Sequence, residues 1–466
     1  MFTMDKLIAL ILAAGEGKRM KSKHAKVIHK ICGKPIINWV LESVKGAGIT
    51  RTIIVVGHCA DEVKKCAGER YEYVLQEEQL GTGHAVMQAE ELLREINKED
   101  GGLVFILYGD TPLISSETIK NVAEFHKNGG YKATIVTSIL ENPSGYGRII
   151  RDLEGNVIKI VEDADASFSE KNIKEINSGI YCFSIKELLI ALGELSNENE
   201  QSEYYLTDSI EIFLKKNFKV GAYEIKNYQE ILGINDRVQL AQVSKIISRR
   251  INEKYMMEGV TIIDPDSVFI DEGVKIGIDT VIYPGSIIEG ETVIGEDCII
   301  GPNSRIVSSI VKNNVEVINS IIIESTVGNN TVIGPFAYIR PENRIGDNVK
   351  IGDFVELKKS KIGDKTKIPH LAYIGDAVIG RNVNVACGVI TANYNGKIKS
   401  TTLIGNNAFI GCNVTLVAPV KVSDNTYIAA GSTITDDVPE YSLAIARERQ
   451  VIKENWVKKK NMERME

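Results

Sequence analysis

The chain has 466 residues, 44% apolar and 25% charged, with a net charge of −7. That composition excludes a disordered or collagen-like protein, and the length predicts two or three domains at about 150 residues each. The acidic balance argues against nucleic acid as a partner, and no apolar run of about 20 residues is present to form a membrane span. The seven cysteines (Cys32, Cys59, Cys66, Cys182, Cys298, Cys387 and Cys412) are scattered and odd in number. None forms a C-x-x-C pair, so reduced thiols in a cytoplasmic protein are expected.

The first predicted strand is Leu7–Leu12. Its apolar run resembles a signal-peptide core, but the charged stretch Gly15-Glu16-Gly17-Lys18-Arg19 follows at once. A buried strand entering a loop is therefore predicted. Helix Pro35–Ala47, strand Thr52–Val56, helix Gly83–Ile96, strand Leu103–Leu107, helix Ser116–Asn128 and strand Ala133–Ser138 follow. This alternation predicts an α/β domain with a largely parallel sheet, whose ligands bind at the carboxyl ends of the strands. The loop after the first strand, Leu12–Met20, is Gly-rich and carries Lys18 and Arg19, with Lys26 close behind. Such a loop brings backbone and cations to phosphate oxygens. It has neither the G-K-[ST] of a Walker loop nor the third glycine of a dinucleotide fingerprint.

Residues 236–258 contain no Gly or Pro and repeat apolar residues at Val238, Ala241, Ile246, Ile247 and Ile251. They predict a linker helix. Beyond Gly259 the period becomes six, through Ile270, Ile276, Ile282, Ile288, Ile294, Ile300 and Ile306. The register is expected to resume at Ile321, again at Ile362, and again at Ile404, often with Gly following. A period of six fits neither a helix nor a plain strand, but it fits a parallel β-solenoid. Register slips fall at 306–321, 374–385 and 391–403, the last as a loop thrown out of the coil. The predicted divisions are 1–235 (α/β), 236–258 (linker helix), 259–446 (solenoid) and 447–466 (tail, a cap or a flexible end).

The motifs LAAGEGKRM (Leu12–Met20), Lys26, QEEQLGTGHA (Gln76–Ala85), LYGDTPLI (Leu107–Ile114), GYGRI (Gly145–Ile149), VED (Val161–Asp163), INSGIY (Ile176–Tyr181) and GIND (Gly233–Asp236) occur in this order. Together they resemble the sugar-1-phosphate nucleotidyltransferase family. With the hexapeptide solenoid behind them, they are closely similar to the bacterial bifunctional family that joins N-acetylglucosamine-1-phosphate uridylyltransferase to glucosamine-1-phosphate N-acetyltransferase. The resemblance implies a Rossmann-like nucleotidyltransferase domain with a mixed, mostly parallel sheet, then a left-handed parallel β-helix.

In the first half, the resemblance implies that Leu12, Ala13, Ala14, Gly15, Lys26, Gln76, Gly81 and Thr82 bind UTP. Arg19 and Lys26 would stabilise the triphosphate during transfer. Tyr108, Gly109, Asp110, Gly147, Glu162, Asn177 and Asn235 would bind the sugar, and Asp110 and Asn235 would ligate Mg²⁺. Few protein oxygens, completed by phosphates and waters, suit that ion. Ala25 and Lys18 depart from the family's usual Pro and Thr.

In the second half, His370 is the one histidine beyond residue 126. It lies in KIPHLAYIGD before a register slip, and its ordinary pKa suits a general base. The resemblance makes it the base that deprotonates the amine of glucosamine-1-phosphate for attack on acetyl-CoA. Arg340 and Lys358 would bind the sugar phosphate, with Tyr373 and Asn384 orienting the sugar. A backbone N–H near Cys387 would meet the oxyanion. Cys387, Asn393, Tyr394, Cys412, Ala430 and Arg447 would line the acetyl-CoA groove. Pro369, Cys387 and Cys412 depart from the small residues usual there. The resemblance further implies a homotrimer with the acetyl site at a subunit interface. Two readings compete: a nucleotidyltransferase alone, with the β-helix as a structural or regulatory trimerisation module, and a non-catalytic scaffold. A merely structural solenoid has no reason to carry Arg340, Lys358, His370, Tyr373, Asn384 and Asn393 together.

Overall fold

The computed structural model describes residues 7–98, 102–199 and 201–462. The chain forms two compact units, Met1–Ile247 and Ser248–Glu466. Their boundary falls inside the helix Arg237–Met257, which therefore contributes to both.

The first unit is an α/β domain. The strands of its nine-stranded sheet are β1 (Leu7–Ala13), β2 (Arg51–Val56), β3 (Glu72–Leu75), β4 (Leu103–Tyr108), β5 (Ala133–Ile139), β6 (Gly147–Arg151), β7 (Val157–Val161), β8 (Glu175–Ser184) and β9 (Val220–Glu224). The main sheet runs β9-β5-β8-β4-β1-β2-β3, with β6 paired to β8 and β7 paired to β6. Every neighbour along the main order is parallel except β8, which is antiparallel to both β4 and β5. All seven residues of β1 are buried, as an unbroken apolar run covered on both faces requires. One core cluster gathers Leu7, Ala9 and Ile11, and a second gathers Ile8, Leu10 and Leu12. Alternate residues of one strand thus serve opposite faces.

The predicted helix Gly83–Ile96 is two helices, Thr82–Met87 and Glu90–Lys98. The Gln88 backbone amide still makes the helical bond to His84 O, but the next amide, Ala89, donates to Val86 O at 3.0 Å, a tighter i→i−3 turn that ends the α ladder. The short strands β6 and β7 and the long β8 were not predicted. In β8 the pairing with β5 shifts between Asn177 and Tyr181, and Gly179 sits at φ 78°. That bulge breaks the alternation by which a strand is read.

The second unit is a parallel coil consistent with the expected left-handed β-helix. Val281 pairs with Ile299 and Lys275 with Val293, so one full turn takes 18 residues in three short sides. Inner aliphatics such as Ile282, Ile288, Ile300 and Ile306 are completely buried. Small hydroxyl residues fill the corners and tie successive turns together. For example, the amide of Val349 donates to Thr331 Oγ1 at 3.1 Å. Asp279, Asp297, Asn314, Asn330 and Asn348 take left-handed φ values between 53° and 59° at another corner. Asn and Asp tolerate that conformation better than most residues.

The three register slips lie where turn length changes. Arg305 pairs with Ile321 after only 16 residues. Ile321 itself faces outward and Ile322 takes the inner position, a correction of one residue to the expected register. Ile322 pairs with Ile306, and the buried Val311 and Val317 between them show that two of the three sides there shorten from six residues to five. Ala377 pairs with Thr402 after 25 residues, because residues 393–401 leave the coil. The start of the coil is covered by the end of the linker helix. There Asn252 donates to the carbonyls of Pro265 (2.8 Å) and Val268 (2.9 Å), and the Tyr255 hydroxyl donates to Val274. In the tail, Trp456–Met462 forms a short helix.

Candidate active sites

The first site lies at the carboxyl ends of β1, β2, β3 and β4. The amide of Gly109 donates to Leu12 O at 2.9 Å and that of Gln76 donates to Val56 O at 2.7 Å. These bonds draw the loops after the strands together. A cavity of about 310 Å³ opens between them, lined by Leu12, Ala13, Ala14, Gly15, Lys26, Gln76, Gly81, Thr82, Tyr108, Asp110 and Asn235. All eight residues assigned to UTP by resemblance therefore border one space. Gln76 is buried, with its amide donating to Gly81 O at 3.2 Å. Thr82 Oγ1 accepts from the Leu206 amide at 3.1 Å. Gln79, Ala85, Val27 and Glu203 also line the cavity and were not singled out in the sequence. Gln79 lies within the QEEQLGTGHA motif, whereas no motif marks Glu203.

A second, polar hollow of about 470 Å³ shares Gly15, Lys26, Gln79, Glu203 and Asn235, and adds Glu16, Gly17, Lys18 and Arg19. Arg19 is exposed there, and Lys18 pairs with Glu16 at 2.8 Å. Gly17 has φ 64°, and a Cβ on it would lie 2.8 Å from Lys26 Cβ. The loop therefore needs glycine at this point to pass over Lys26.

Lys26 Nζ donates to Asp110 Oδ2 and, at 3.1 Å, to Asn235 Oδ1. The amide of Ile234 donates to Asp110 O at 3.0 Å, which anchors the GIND loop to the YGD loop. The two side-chain oxygens thus meet at the Lys26 ammonium, and as a pair of hard donors they fit Mg²⁺ with phosphates and water completing its shell. Among the described residues no cluster of three or more His, Cys, Asp or Glu side chains forms a metal cage.

Gly147, Glu162 and Asn177 form a neighbouring group outside the lining of the cavity. A Cβ on Gly147 would lie 3.4 Å from Glu162 Oε2 and 3.5 Å from Asn177 Cβ. Tyr108 connects this group to the cavity. Burial, then the charges of Glu162 and Asp110, push its phenol far above the ordinary range. Glu162 accepts from Thr207 Oγ1 at 3.1 Å, and burial raises its carboxyl pKa. Asp208 is raised to about 6, chiefly by burial and then by Glu211 and Asp165. The fold therefore favours its protonated form, and that contribution is present below the ordinary carboxyl pKa and lost as pH rises through about 6. Asp208→Asn is expected to match the parent in unfolding free energy near pH 4. By pH 7.5 it should exceed it by about 1 kcal/mol, a figure discounted for partial exposure. Urea unfolding at the two pH values checks this.

The second site lies on the coil, on the nine-residue strands Lys350–Lys358 and Lys367–Gly375. Arg340 pairs with Glu356 at 2.9 Å and Lys358 with Asp376 at 2.8 Å. Asn393 also bonds Asp376. A Cβ on Gly375 would lie 2.5 Å from the Tyr373 hydroxyl and 2.7 Å from Asn393 Nδ2, so these groups meet over that glycine. Lys399, not singled out in the sequence, comes from the extruded loop to adjoin Lys358 and Asp376. Tyr394 lies in that loop, its hydroxyl donating to Gly396 O at 2.7 Å. Asn384 pairs with Lys367, three residues before His370.

Left-handed residues mark one corner in successive turns: Phe354, Leu371, Gly388, Asn413 and Gly431. The residues just before them are Asp353, His370, Cys387, Cys412 and Ala430. Four of the assigned residues, His370, Cys387, Cys412 and Ala430, therefore stand in a column, and a Cβ on Gly431 at its end would lie 3.9 Å from Arg447. His370 Nδ1 lies 2.6 Å from Asp353 Oδ1. The amides flanking Cys387 are committed, Ala386 to Ile410 O and Gly388 to Leu371 O.

Two family models match the chain. The nucleotidyl transferase model covers residues 8–229, and the bacterial transferase hexapeptide model covers 273–308, 324–359 and 401–436. The chain is 61% identical to the Bifunctional protein GlmU of Acetivibrio thermocellus, over 99% of this chain and 100% of that one. It is 57% identical to the proteins of the same name in Clostridium kluyveri and Caldanaerobacter subterraneus subsp. tengcongensis, over 98% of this chain and 99% of each of those. With identity of that degree running through both halves, the chain belongs to the bifunctional GlmU family.

Proposed function

We infer that this chain makes UDP-N-acetylglucosamine in two steps, as a glucosamine-1-phosphate N-acetyltransferase and an N-acetylglucosamine-1-phosphate uridylyltransferase. The observation that carries the reading is the coexistence, in separate units, of the Lys26–Asp110–Asn235 cavity and the column that includes His370.

In acetyl transfer, Arg340 and Lys358 hold the phosphate of glucosamine-1-phosphate, while Tyr373 and Asn384 orient the ring. His370 takes a proton from the 2-amino group as nitrogen attacks the thioester. Acetyl-CoA lies along Cys387, Asn393, Tyr394, Cys412, Ala430 and Arg447, and a backbone N–H near Cys387 faces the oxyanion. In uridylyl transfer, Leu12–Gly15, Gln76, Gly81 and Thr82 hold UTP. Tyr108, Gly109, Gly147, Glu162 and Asn177 hold the sugar. Arg19 and Lys26 balance charge on the phosphates as pyrophosphate leaves, and position matters more than covalent help. Asp110 and Asn235 would hold Mg²⁺, which would supply neutralisation of phosphate charge.

The chain works as a homotrimer in the cytoplasm, with the acetyl site completed across a subunit interface. Support for assembly comes from the corner beside His370, where Phe336, Phe354 and Leu371 are all more than half exposed and the two rings stack at 5.5 Å. Among the described residues no helix is long and apolar enough to cross a membrane.

The test supplies glucosamine-1-phosphate, acetyl-CoA, UTP and Mg²⁺ and follows UDP-N-acetylglucosamine. Product is expected, with free thiol and pyrophosphate in equal amounts. Chelating the metal should stop pyrophosphate release and spare thiol release. Pyrophosphate from N-acetylglucosamine-1-phosphate without any thiol release from glucosamine-1-phosphate would favour the single-activity reading.

A further inference from the structure

We propose that Asp353 is the positioning residue of the acetyl-transfer site, fixing the His370 ring so that Nε2 presents its lone pair to the substrate amine. The proposal rests on the reading of His370 as the base.

Asp353 and His370 are direct partners in the register of Lys350–Lys358 against Lys367–Gly375. Asp353 Oδ1 lies 2.6 Å from His370 Nδ1. An ionised carboxylate can only accept, so the ring proton must sit on Nδ1. A neutral imidazole has one N–H, which leaves Nε2 free to take a proton. The His370 bond in turn holds the Asp353 carboxyl below its ordinary pKa, so the acceptor is ionised at neutral pH. The other carboxylates of the cluster are engaged elsewhere: Glu356 faces Arg340 and Asp376 faces Lys358.

The backbone brings the pair into register. A Cβ on Gly352 would lie 1.8 Å from Pro369 O, so the strands approach this closely only because residue 352 is glycine. Pro369 fixes its own φ immediately before His370. The unusual proline and the glycine thus seat the residues that follow them.

In the reaction, the amine nitrogen forms a bond to the acetyl carbon and its proton passes to His370 Nε2. The carbon–sulfur bond then breaks, and the departing thiolate takes that proton, so charge and protons balance. Asp353 stabilises the imidazolium in between and touches neither substrate.

The test uses the full chain carrying ¹⁵N-histidine, with His370→Asn to assign the resonance. In the parent, neutral His370 is expected to be protonated on Nδ1. In Asp353→Ala the Nε2–H tautomer should become dominant. The kcat of acetyl transfer should fall about 10- to 100-fold, with both KM values within about twofold and uridylyl transfer at the parent rate. Asp353→Asn, which can still accept through its amide oxygen, should recover part of the kcat. An Nε2–H tautomer in the parent, or parent kcat in Asp353→Ala, overturns the proposal. If His370→Ala abolishes thiol release while Asp353→Ala does not slow it, the positioning role fails and the base stands. If His370→Ala keeps the parent rate, the reading of the base itself has failed.

Discussion

Asp110→Ala is expected to lower uridylyl transfer by about 1,000-fold while thiol release from acetyl-CoA continues at the parent rate. Asp110 does two things at once. It accepts from Lys26 Nζ, and its carboxylate faces the same point as Asn235 Oδ1. Without it, the ammonium loses its principal partner and the site loses one of the two hard oxygen donors that fit Mg²⁺. The loss falls on the step in which phosphate charge must be balanced. The Asp110 backbone carbonyl still accepts from Ile234 N in the variant, so the GIND loop stays anchored and the effect is chemical rather than structural. Pyrophosphate release from UTP and N-acetylglucosamine-1-phosphate measures it. A decrease of less than tenfold would remove Asp110 from the metal assignment.

His370→Ala is expected to lower acetyl transfer by about 1,000-fold, within the range typical of a lost general base. The side chain is well exposed and supports no core contact, so the coil should fold normally. Lys358 and Tyr373 lie at other strand positions and Arg340 just beyond the strand Tyr338–Ile339, so binding of the sugar phosphate should persist. The change should therefore appear in kcat with little change in KM. Thiol release under saturating acetyl-CoA tests this, and an unchanged kcat would contradict it.

The parts of this fold that the sequence reveals are those with a single strong periodicity. Leu7–Ala13 is continuous apolar residue after residue, as a strand buried on both faces must be. The coil announces itself because one inner position per side must be aliphatic, turn after turn. Where that rule allows a choice, the reading slips. Ile321, Ile322 and Ile323 are all eligible for the inner position, and only the pairing of Ile306 with Ile322 selects among them. Strand Glu175–Ser184 escapes because its polar INSG segment accommodates a bulge beside Gly147 and Glu162.

The sites divide in the same way. Residues in loops after buried strands, such as Gln76 and Asp110, belong to motifs tied to element ends. Glu203 reaches the cavity from a segment with no periodicity at all. Lys399 reaches Lys358 only because residues 393–401 fold back toward the coil. Asp353 was invisible for a different reason. The solenoid places Asp and Asn at corners throughout, so one more acidic corner residue carries no signal until its register with His370 is known.

The most direct test of the central claim, two independent active sites on one chain, is a paired time course of thiol and pyrophosphate release. It compares Asp110→Ala, His370→Ala and an equimolar mixture of the two, each supplied with glucosamine-1-phosphate, acetyl-CoA, UTP and Mg²⁺. Thiol alone is expected from the first, neither product from the second because its uridylyl site receives no acetylated sugar, and both products from the mixture. Added N-acetylglucosamine-1-phosphate should restore pyrophosphate release to His370→Ala alone. Loss of both products from Asp110→Ala, or a mixture that stays silent in pyrophosphate, would contradict it.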